Sequence, residues 1–484
     1  MLYHLYELSH AAISPARAAA NSTRLLLRNP FNPLSYTNLG RNAAAAAELL
    51  ERTTRRYKKP TFNIKATTVK GKRVEISEEI VWRKPFCDLI HFKKALPDGA
   101  PSEPRLLIVA PLSGHYATLL RGTVEAMLPF SDVYISDWHD ARLIPLRDGT
   151  FTLDDYIDYV IGMMEVFQGD VHVMGVCQPG VPVLSAVALM EARNHPFLPR
   201  SVILKGSPID TRVSPNAVNK LAEERGTNWF RRTVIASVPW PNRGHGRLVY
   251  PGFLQLTGFM AMNLDRHMSA HKELFVHLVR GDGDSVEKHK EFYDEYLAVM
   301  DLPAEYYIQT IDQVFVKHQL PRGEMHHRGQ LIDLKAIRHV ALMTIEGEKD
   351  DITGAGQTEA AIHLTTNLSR SKKQHYTQPG VGHYGIFNGS RYRQEILPRI
   401  VAFMAEHDIR GSALRWLWHR LQGERDVAAP PEPLPPEKIT EIEVEAEPIR
   451  LSALPAKPVI RMRKGRSRSR ITARHGKIAR HRGH

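Results

Sequence analysis

The sequence predicts an α/β protein: a mostly parallel, doubly wound sheet with a helical cap inserted between two of its strands. Continuous apolar runs alternate with helical patterns, as in a parallel sheet covered by helices on both faces. One apolar run ends in a Gly-x-Cys-x turn that leads directly into a helical pattern. Residues 207–339 then separate two predicted strands, and so long an interval is more than one crossover connection needs.

The first 60 residues are rich in Ala and Arg and precede the sheet. Apolar positions at Leu2, Leu5, Tyr6 and 18–27 predict amphipathic helices in this amino-terminal extension, residues 1–60. Such helices either dock on the body of the protein or contact a lipid or polymer surface. A transit peptide is a third interpretation.

Short apolar runs define the core, whose first part we place at residues 61–210. Helical patterns at 156–167 and 181–193 lie between the later runs. The predicted strands are 67–69, 73–80, 105–111, 132–138, 171–176, 201–206 and 340–345.

The long interval between strands predicts a helical cap at residues 211–330, above the carboxyl edge of the sheet. The Phe- and Met-rich stretch 250–262 forms either the core of this cap or the lining of an apolar substrate groove. The second part of the core follows at 331–425. Residues 426–484 are first acidic and Pro-rich and then basic, a composition that predicts disorder.

Positive charge is concentrated at the carboxyl terminus. The formal net charge is +13, and residues 457–484 contain 11 Lys or Arg and no Asp or Glu, so the rest carries about +2 (13 − 11). This basic tail predicts contact with nucleic acid or an anionic surface, or else a solvated arm. Nucleic-acid binding is therefore a hypothesis about the tail and not about the body.

Several classes of protein are disfavoured by composition. No apolar run reaches 18 residues, so we expect no transmembrane segment. Two cysteines cannot build a disulfide framework, which fits a reducing cytoplasm. Neither zinc-ligand spacing nor a phosphate-binding glycine loop occurs, and we predict no metal and no cofactor.

The Gly-x-Cys-x turn has the layout of a nucleophile elbow, in which a sharp strand-to-helix turn presents one side chain above the sheet. Cys177 takes the nucleophile's position, Gly175 permits a close approach, and Pro179 suits the first turn of a helix. A thiol here predicts acyl transfer through a thioester. Cys87 has no such setting, and we expect it to be an inert packed thiol.

Acyl transfer also needs a base and a group that orients it. In α/β-hydrolases these follow the nucleophile in the order acid, then histidine. Asp350 lies just past the strand 340–345, and Asp351 is its direct alternative. His383 lies between glycines after the last predicted strand, which makes it the best candidate for the base among 24 histidines.

Backbone N–H groups are the expected donors to the oxyanion. One is the amide of Gln178, directly after the nucleophile and close to a helix start. The other comes from the loop after strand 105–111, at Leu112 or Ser113.

Four stretches resemble the intracellular polyhydroxyalkanoate depolymerases, α/β-hydrolase proteins related to the polyester synthases. They are the elbow 175–179, the acidic loop 347–352, the segment 382–385 and the opening 1–7. The resemblance covers residues 1–420. It implies a Cys177–Asp350–His383 triad that hydrolyses stored poly(3-hydroxybutyrate) to 3-hydroxybutyrate oligomers or monomers.

The resemblance also implies a place of action and an alternative. A cytoplasmic protein at the surface of polyester storage granules is expected. In the related synthases the residue two after the cysteine is usually Gly, so Pro179 favours the depolymerases. Open alternatives are a synthase-like acyltransferase that uses 3-hydroxyacyl-CoA and a non-enzymatic granule or nucleic-acid adaptor.

Overall fold

A nine-stranded sheet lies at the centre of the protein in a computed structural model that describes residues 2–408 except 101, 263 and 281. Strands within the described residues are β1 (Ala66–Val69), β2 (Lys72–Lys84), β3 (Cys87–Lys94), β4 (Arg105–Val109), β5 (Asp132–Trp138), β6 (His172–Val176), β7 (Ser201–Lys205), β8 (Ala236–Ser237), β9 (Leu248–Tyr250), β10 (Leu302–Pro303), β11 (His326–His327), β12 (Gln330–Leu331), β13 (Ala341–Gly347) and β14 (Lys373–Gln378).

The central sheet has the order β1-β2-β3-β5-β4-β6-β7-β13-β14. Its six strands from β5 to β14 run parallel, and β3 pairs antiparallel with β5 at the other side of the sheet. β2 and β1 extend that side by further antiparallel pairs. A mostly parallel sheet of this order, with an elbow after β6, is the α/β-hydrolase fold, and the predicted fold class is confirmed.

Helices cover the sheet and fill the interval between β7 and β13. They are α1 (Leu2–Leu27), α2 (Asn38–Thr54), α3 (Arg121–Met127), α4 (Leu153–Val166), α5 (Gly180–Ala192), α6 (Ala217–Thr233), α7 (Gly252–Met262), α8 (Leu264–Arg280), α9 (Gly283–Tyr296), α10 (Ala304–Thr310), α11 (Gln319–Arg322), α12 (Ala360–Leu364) and α13 (Leu397–His407).

Apolar runs form the middle strands because these strands are buried on both faces. Every residue of β6, β7 and β13 is buried, and Leu107 of β4 pairs with Val173 of β6 in the centre. Burial of one such aliphatic side chain contributes roughly 1.5–3 kcal/mol. Helix α5, which the elbow motif predicts after β6, is buried along almost its whole length. The elbow therefore joins two deeply buried elements, β6 and α5.

Two strands of the sheet were not predicted from the sequence. β14 is an edge strand whose residues Lys373–Gln378 are mostly polar, so no apolar run marks it. β3 ends in Lys93 and Lys94, which hide its period, yet Lys94 is buried and donates to the carbonyls of Leu128 and Ser131 at 2.6 and 2.9 Å. Both strands are specified by their neighbours rather than by their own pattern.

The amino-terminal extension folds as a helical hairpin. The two apolar stretches that the sequence marks, at Leu2–Tyr6 and 18–27, belong to one helix, α1, which continues through Pro15. α1 packs along α2, and Arg17 donates to the carbonyl oxygen of Thr54 at 2.5 Å. The two helices are thus held to each other, while Tyr3 and Arg52 bond Asp301 and Asp294 of the later segment.

The interval between β7 and β13 contains helices α6–α11 and also two small sheets. One has the order β10-β9-β8, and the other is the pair β11-β12. The segment predicted as a purely helical cap, 211–330, is therefore mixed, because short strand pairs close its loops. The division into 1–60, 61–210, 211–330 and 331–425 stays a prediction, and residues 409–425 with the predicted tail, 426–484, lie outside the described residues. Within the described part, no helix has the length and apolar character needed to cross a bilayer.

Candidate active site

Cys177 lies at the turn between β6 and α5, in a backbone conformation that residues other than glycine rarely adopt. Its φ angle is +67°. Two hydrogen bonds hold this strained turn: the Cys177 N–H donates to the carbonyl of Lys205 at 2.7 Å, and the Gly180 N–H donates to the carbonyl of Cys177 at 3.1 Å. The side chain is half-buried, so the thiol is held at the surface of the site. This is the geometry of a nucleophile elbow.

The closest approach at the elbow occurs at Gly180 and not at Gly175. A Cβ atom on Gly180 would lie 2.2 Å from Cβ and Oγ of Ser207, which no side chain can satisfy. A Cβ on Gly175 would lie 3.4 Å from the nearest side chain. The close approach predicted at Gly175 is therefore found at Gly180, because the generic motif does not reveal how near the loop after β7 passes to α5.

His383 meets Asp350 in the interior of the site. Nδ1 of His383 lies 2.7 Å from Oδ2 of Asp350, and both side chains are almost completely buried. The other carboxylate oxygen, Oδ1, accepts the backbone N–H groups of Ile352 and Thr353 at 2.9 and 2.8 Å. The carboxylate is thus held from both sides, and its orientation fixes that of the imidazole.

Asp350 and Asp351 differ in position although they are adjacent in sequence. Asp350 is buried and contacts His383, whereas Asp351 is exposed. The structure therefore brings Asp350 to the histidine. Spacing alone left the two open, because it does not say which way each side chain turns in the loop after β13.

The side chain of Cys177 lies close enough to the imidazole of His383 to affect its protonation. Burial opposes protonation of His383, but its interactions with Cys177 and Asp350 outweigh burial, so the pKa of His383 lies well above its usual value. Gly206 lies directly beneath the ring: a Cβ there would lie 3.0 Å from Cε1 of His383 and 2.6 Å from Ile386. Cys177, His383 and Asp350 are thus brought together.

The predicted oxyanion donors lie beside the elbow in an unexpected arrangement. The Leu112 N–H donates to Oε1 of the Gln178 side chain at 3.3 Å. Leu112 is buried and Ser113 half-buried. A substrate oxygen that uses the Leu112 N–H therefore takes the place of the Gln178 side-chain oxygen.

Tyr306 of α10 holds this loop, and sequence reasoning missed it. Its hydroxyl donates to the carbonyl of Leu112 at 3.2 Å, and its side chain also hydrogen-bonds Gln178. The ring is fully buried, and burial raises the pKa of Tyr306 well above its usual value, so it stays neutral. No local motif marks Tyr306, because it reaches the site from the inserted segment.

Lys205, the last residue of β7, is also fully buried beside the elbow. Its Nζ lies 4.3 Å from the centre of the Tyr392 ring and 3.9 Å from Sδ of Met174. Burial lowers the pKa of Lys205 to about 7. Lys205 lies in an apolar run of the sequence, which gives no sign that its side chain turns into the core.

The weaker candidates of the sequence are engaged elsewhere. Cys87 is completely buried, and burial raises the pKa of its thiol well above the usual value. Five other histidines each contact a different group: His115 the carbonyl of Tyr296, His139 that of Pro85, His172 the hydroxyl of Ser201, His326 the carbonyl of Glu324 and His327 the carboxylate of Asp158.

Within the described residues, one group of side chains has the spacing of metal ligands. It consists of Glu346, Glu359 and His375, whose ligand atoms lie within 4.8 Å of one another. Oε1 of Glu346 accepts the N–H groups of Thr358 and Glu359, and Oε2 accepts that of Gly356. The Glu346 carboxylate thus joins β13 to the loop that follows it, and we assign no metal to this group.

Comparison with known proteins gives two matches in sequence. A family model described as the PHB de-polymerase C-terminus matches residues 206–408. A poly(3-hydroxyalkanoate) polymerase subunit PhaC from Haloferax mediterranei is 22% identical over 381 residues, which cover 76% of this chain and 70% of that protein. The family match begins just after β7, so it contains Asp350 and His383 and leaves Cys177 outside.

Solved structures similar to this one include two hydrolases. A meta-cleavage product hydrolase from Pseudomonas fluorescens has a TM-score of 0.37 and 12% identity, over 71% of this chain and 97% of that chain. A monoacylglycerol lipase from Paleococcus ferrophilus has a TM-score of 0.36 and 14% identity, over 63% and 96%. By its own sheet the chain has the α/β-hydrolase fold, and in sequence it is similar to the family described as the PHB de-polymerase C-terminus and to a poly(3-hydroxyalkanoate) polymerase subunit.

Proposed function

We propose that this protein hydrolyses ester bonds of poly(3-hydroxybutyrate) and releases 3-hydroxybutyrate oligomers or monomers. The observation that carries the proposal is the contact of His383 with both Cys177 and Asp350 at a strained elbow. The match of residues 206–408 to the PHB de-polymerase C-terminus supports the choice of substrate.

In the first half of the reaction, Sγ of Cys177 attacks the carbonyl carbon of a backbone ester. The thiol proton is on His383 when the bond forms, and the imidazolium then gives it to the leaving alkoxide. The ester C–O bond breaks, one part of the polymer leaves as an alcohol, and the other remains as a thioester on Cys177. Asp350 holds the imidazole and stabilises its positive charge.

In the second half, His383 takes a proton from water, and the resulting hydroxide attacks the thioester. The C–S bond breaks, the acid is released, and the sulfur recovers a proton through His383. N–H groups of Gln178 and of Leu112 or Ser113 stabilise the oxyanion in both halves; loss of one such donor typically costs about 3–4 kcal/mol. At Leu112 the substrate first displaces the Gln178 side-chain oxygen.

We further propose that the protein acts in the cytoplasm at the surface of polyester storage granules. A thiol nucleophile suits a reducing compartment, because oxidation would block it. The basic residues 457–484 stay a predicted contact for nucleic acid or an anionic surface; binding through them would weaken steeply with salt.

The test is release of soluble 3-hydroxybutyrate from amorphous polymer particles. We expect release by the wild-type protein and none by Cys177→Ala, since no other group replaces the sulfur. Cys87→Ala is the matched control and should retain activity, because Cys87 is a buried thiol away from the elbow. Equal release by Cys177→Ala and wild type would overturn the proposal.

The second candidate is a synthase-like acyltransferase that takes 3-hydroxyacyl-CoA. The similarity to the polymerase subunit PhaC favours it. The same cysteine would accept the acyl group from a thioester instead of an ester. Free CoA that accumulates from 3-hydroxybutyryl-CoA while polymer grows would support this function, and its absence together with polymer hydrolysis would exclude it.

A further inference from the structure

Helix α1 turns an apolar stripe to the solvent. Positions 5, 8, 12, 19 and 26 lie one above another on a helix because they are separated by three, four or seven residues. The side chains there are Leu5, Leu8, Ala12, Ala19 and Leu26, all exposed. The three leucines are 63%, 66% and 60% exposed. A surface helix of a globular protein normally presents its polar side to water.

The charged side chains of α1 point the other way. Glu7, Arg17 and Arg24 are all partly buried. Glu7 forms an ion pair with Arg56, just after α2, at 2.6 Å, and Arg17 donates to a carbonyl at the end of α2. These contacts hold α1 against α2 and the segment after it, and they leave the outer face of α1 without Glu or Arg.

The apolar surface continues past the end of the helix. Phe31, in the connection to α2, is 92% exposed, and Leu39, in the first turn of α2, is 78% exposed. Leu34 and Tyr36 are exposed between them. We call Leu5, Leu8, Leu26, Phe31 and Leu39 the amino-terminal apolar surface. Several large exposed apolar side chains on one helix and the segment after it are typical of a site of interaction.

The length and charge of this surface indicate what it binds. An α-helix of 26 residues is about 39 Å long, so α1 matches an extended surface and not a pocket. Helices that bind anionic bilayers carry Lys and Arg on an exposed polar face. Arg17 and Arg24 are turned inward instead, so the exposed stripe is complementary to an uncharged apolar phase.

The same helix is fastened to the loop beside Cys177. The Tyr3 hydroxyl donates to Oδ2 of Asp301 at 2.8 Å, in the interior. The residue before it, Met300, donates its N–H to the carbonyl of Gly114 at 2.7 Å. Gly114 follows Leu112 and Ser113, the predicted oxyanion loop. A surface bound by α1 is thus connected to the site by two hydrogen bonds.

We propose that the amino-terminal apolar surface docks on the face of an amorphous polyester particle and holds the site at the polymer. The identity of the polymer rests on the proposed function. The docking itself rests on the outward apolar stripe, the inward charges and the anchor at Tyr3.

The experiment compares two triple variants of the full chain. Leu5→Gln, Leu8→Gln and Leu26→Gln remove the stripe, while Leu146→Gln, Val166→Gln and Leu331→Gln change apolar residues elsewhere that are 57%, 42% and 48% exposed. In a Cys177→Ala background, co-sedimentation with amorphous poly(3-hydroxybutyrate) particles should weaken at least about tenfold for the stripe variant only. With Cys177 intact, both variants should hydrolyse a soluble short ester such as 4-nitrophenyl butyrate at the wild-type rate.

Equal particle binding by the stripe variant and the wild type would overturn the inference. Stronger binding to phosphatidylglycerol vesicles than to polymer would overturn it in favour of a lipid, and a stripe-dependent dimer in sedimentation would do so in favour of a second copy. Failure of the wild type to hydrolyse any ester would instead overturn the proposed function, while particle binding would still be measurable.

A second measurement needs only one substitution. Leu8→Cys in the Cys177→Ala background carries an environment-sensitive dye on the stripe, and the dye labels only this position because Cys87 is buried and inaccessible. Its emission should shift to the blue when polymer particles are added. Leu331→Cys, labelled in the same way, should show no shift. No shift at position 8 would contradict the docking.

Discussion

Cys177 carries its side chain on a backbone conformation that costs free energy. A left-handed conformation outside glycine costs on the order of 1–3 kcal/mol and persists only where neighbours enforce it. Here the carbonyl of Lys205 accepts its N–H, and Gly180 closes the turn behind it. Hydrogen bonds to β7 and α5, which are both buried, therefore hold Cys177 in this strained conformation.

Replacement of Asp350 by Asn should separate its role from that of its neighbour. Asp350→Asn keeps the shape of the side chain but removes the charge that supports the imidazolium, so kcat/KM should fall roughly 10²- to 10⁴-fold. Asp351→Asn, at an exposed carboxylate, should stay near the wild type. Rates on a soluble ester provide the measurement, and equal losses in both variants would contradict the geometry.

The raised pKa of His383 predicts how the reactivity of Cys177 depends on pH. An imidazolium beside the sulfur favours the thiolate, so alkylation by iodoacetamide at pH 6 should be at least about tenfold faster in the wild type than in His383→Gln. As pH rises through the pKa of His383 the imidazolium loses its proton, so this advantage should disappear.

His326→Gln, at an exposed histidine, is the control for this experiment and should alkylate like the wild type. A ratio of wild-type to His383→Gln rates that stays constant between pH 6 and pH 10 would show that the imidazole does not govern the sulfur.

Residues with a local signature could be predicted from the sequence, and residues placed by the tertiary fold could not. Cys177 and His383 lie in short motifs, and Asp350 and Asp351 follow an apolar strand. Tyr306 reaches the loop at Leu112 from helix α10, far along the chain, and no sequence pattern predicts this contact. The catalytic roles of these residues stay predictions.

At the scale of elements, α5 depends on one close contact. Gly180 begins the helix, and Ser207 in the loop after β7 fills the space that a side chain would need. This contact brings the elbow down onto the sheet. The sequence predicts the helix and the strand before it, but the contact between them depends on a loop that lies further along the chain.

Gly180→Ala should destabilise the protein by about 1–3 kcal/mol, because the new methyl group forces Ser207 and the elbow apart. Gly258→Ala is the matched control. Gly258 lies in α7 with open space around its Cα, and alanine there should stabilise by up to about 1 kcal/mol. Denaturant unfolding measures both; a neutral Gly180→Ala would contradict the packing at the elbow.

Apolar period decides which elements the sequence predicts. Buried strands such as β6 and β7 are continuous apolar runs and are predicted within a residue or two. β14 is an edge strand that pairs with β13 and has a polar composition, so no apolar run in the sequence predicts it. Such an edge strand is specified by its pairing with β13 and not by the strand propensity of its own residues.

For the whole molecule, the buried amine of Lys205 links folding to pH. Its pKa is lowered to about 7 by burial, so between pH 7 and about 10.5 the unfolded chain holds a proton that the folded chain has released. The free energy of unfolding should therefore rise with pH across this window, by up to about 1.4 kcal/mol per unit. Below pH 7 both states are protonated, and the slope from this group vanishes.

Unfolding by urea at pH 7, 8 and 9 measures this rise. Lys205→Met removes the titrating amine while keeping an unbranched apolar side chain, and its profile should be flatter than that of the wild type. Lys335→Met, at an exposed lysine, should keep the wild-type slope. Identical slopes in all three proteins would mean that Lys205 is charged in the folded state at neutral pH.

One strand end serves both reacting partners. The carbonyl of Lys205 accepts a hydrogen bond from the N–H of Cys177, and the next residue, Gly206, packs beneath the imidazole of His383. A displacement of this strand end would therefore move the sulfur and the ring together, so that the distance over which the proton passes would change less than the position of either group.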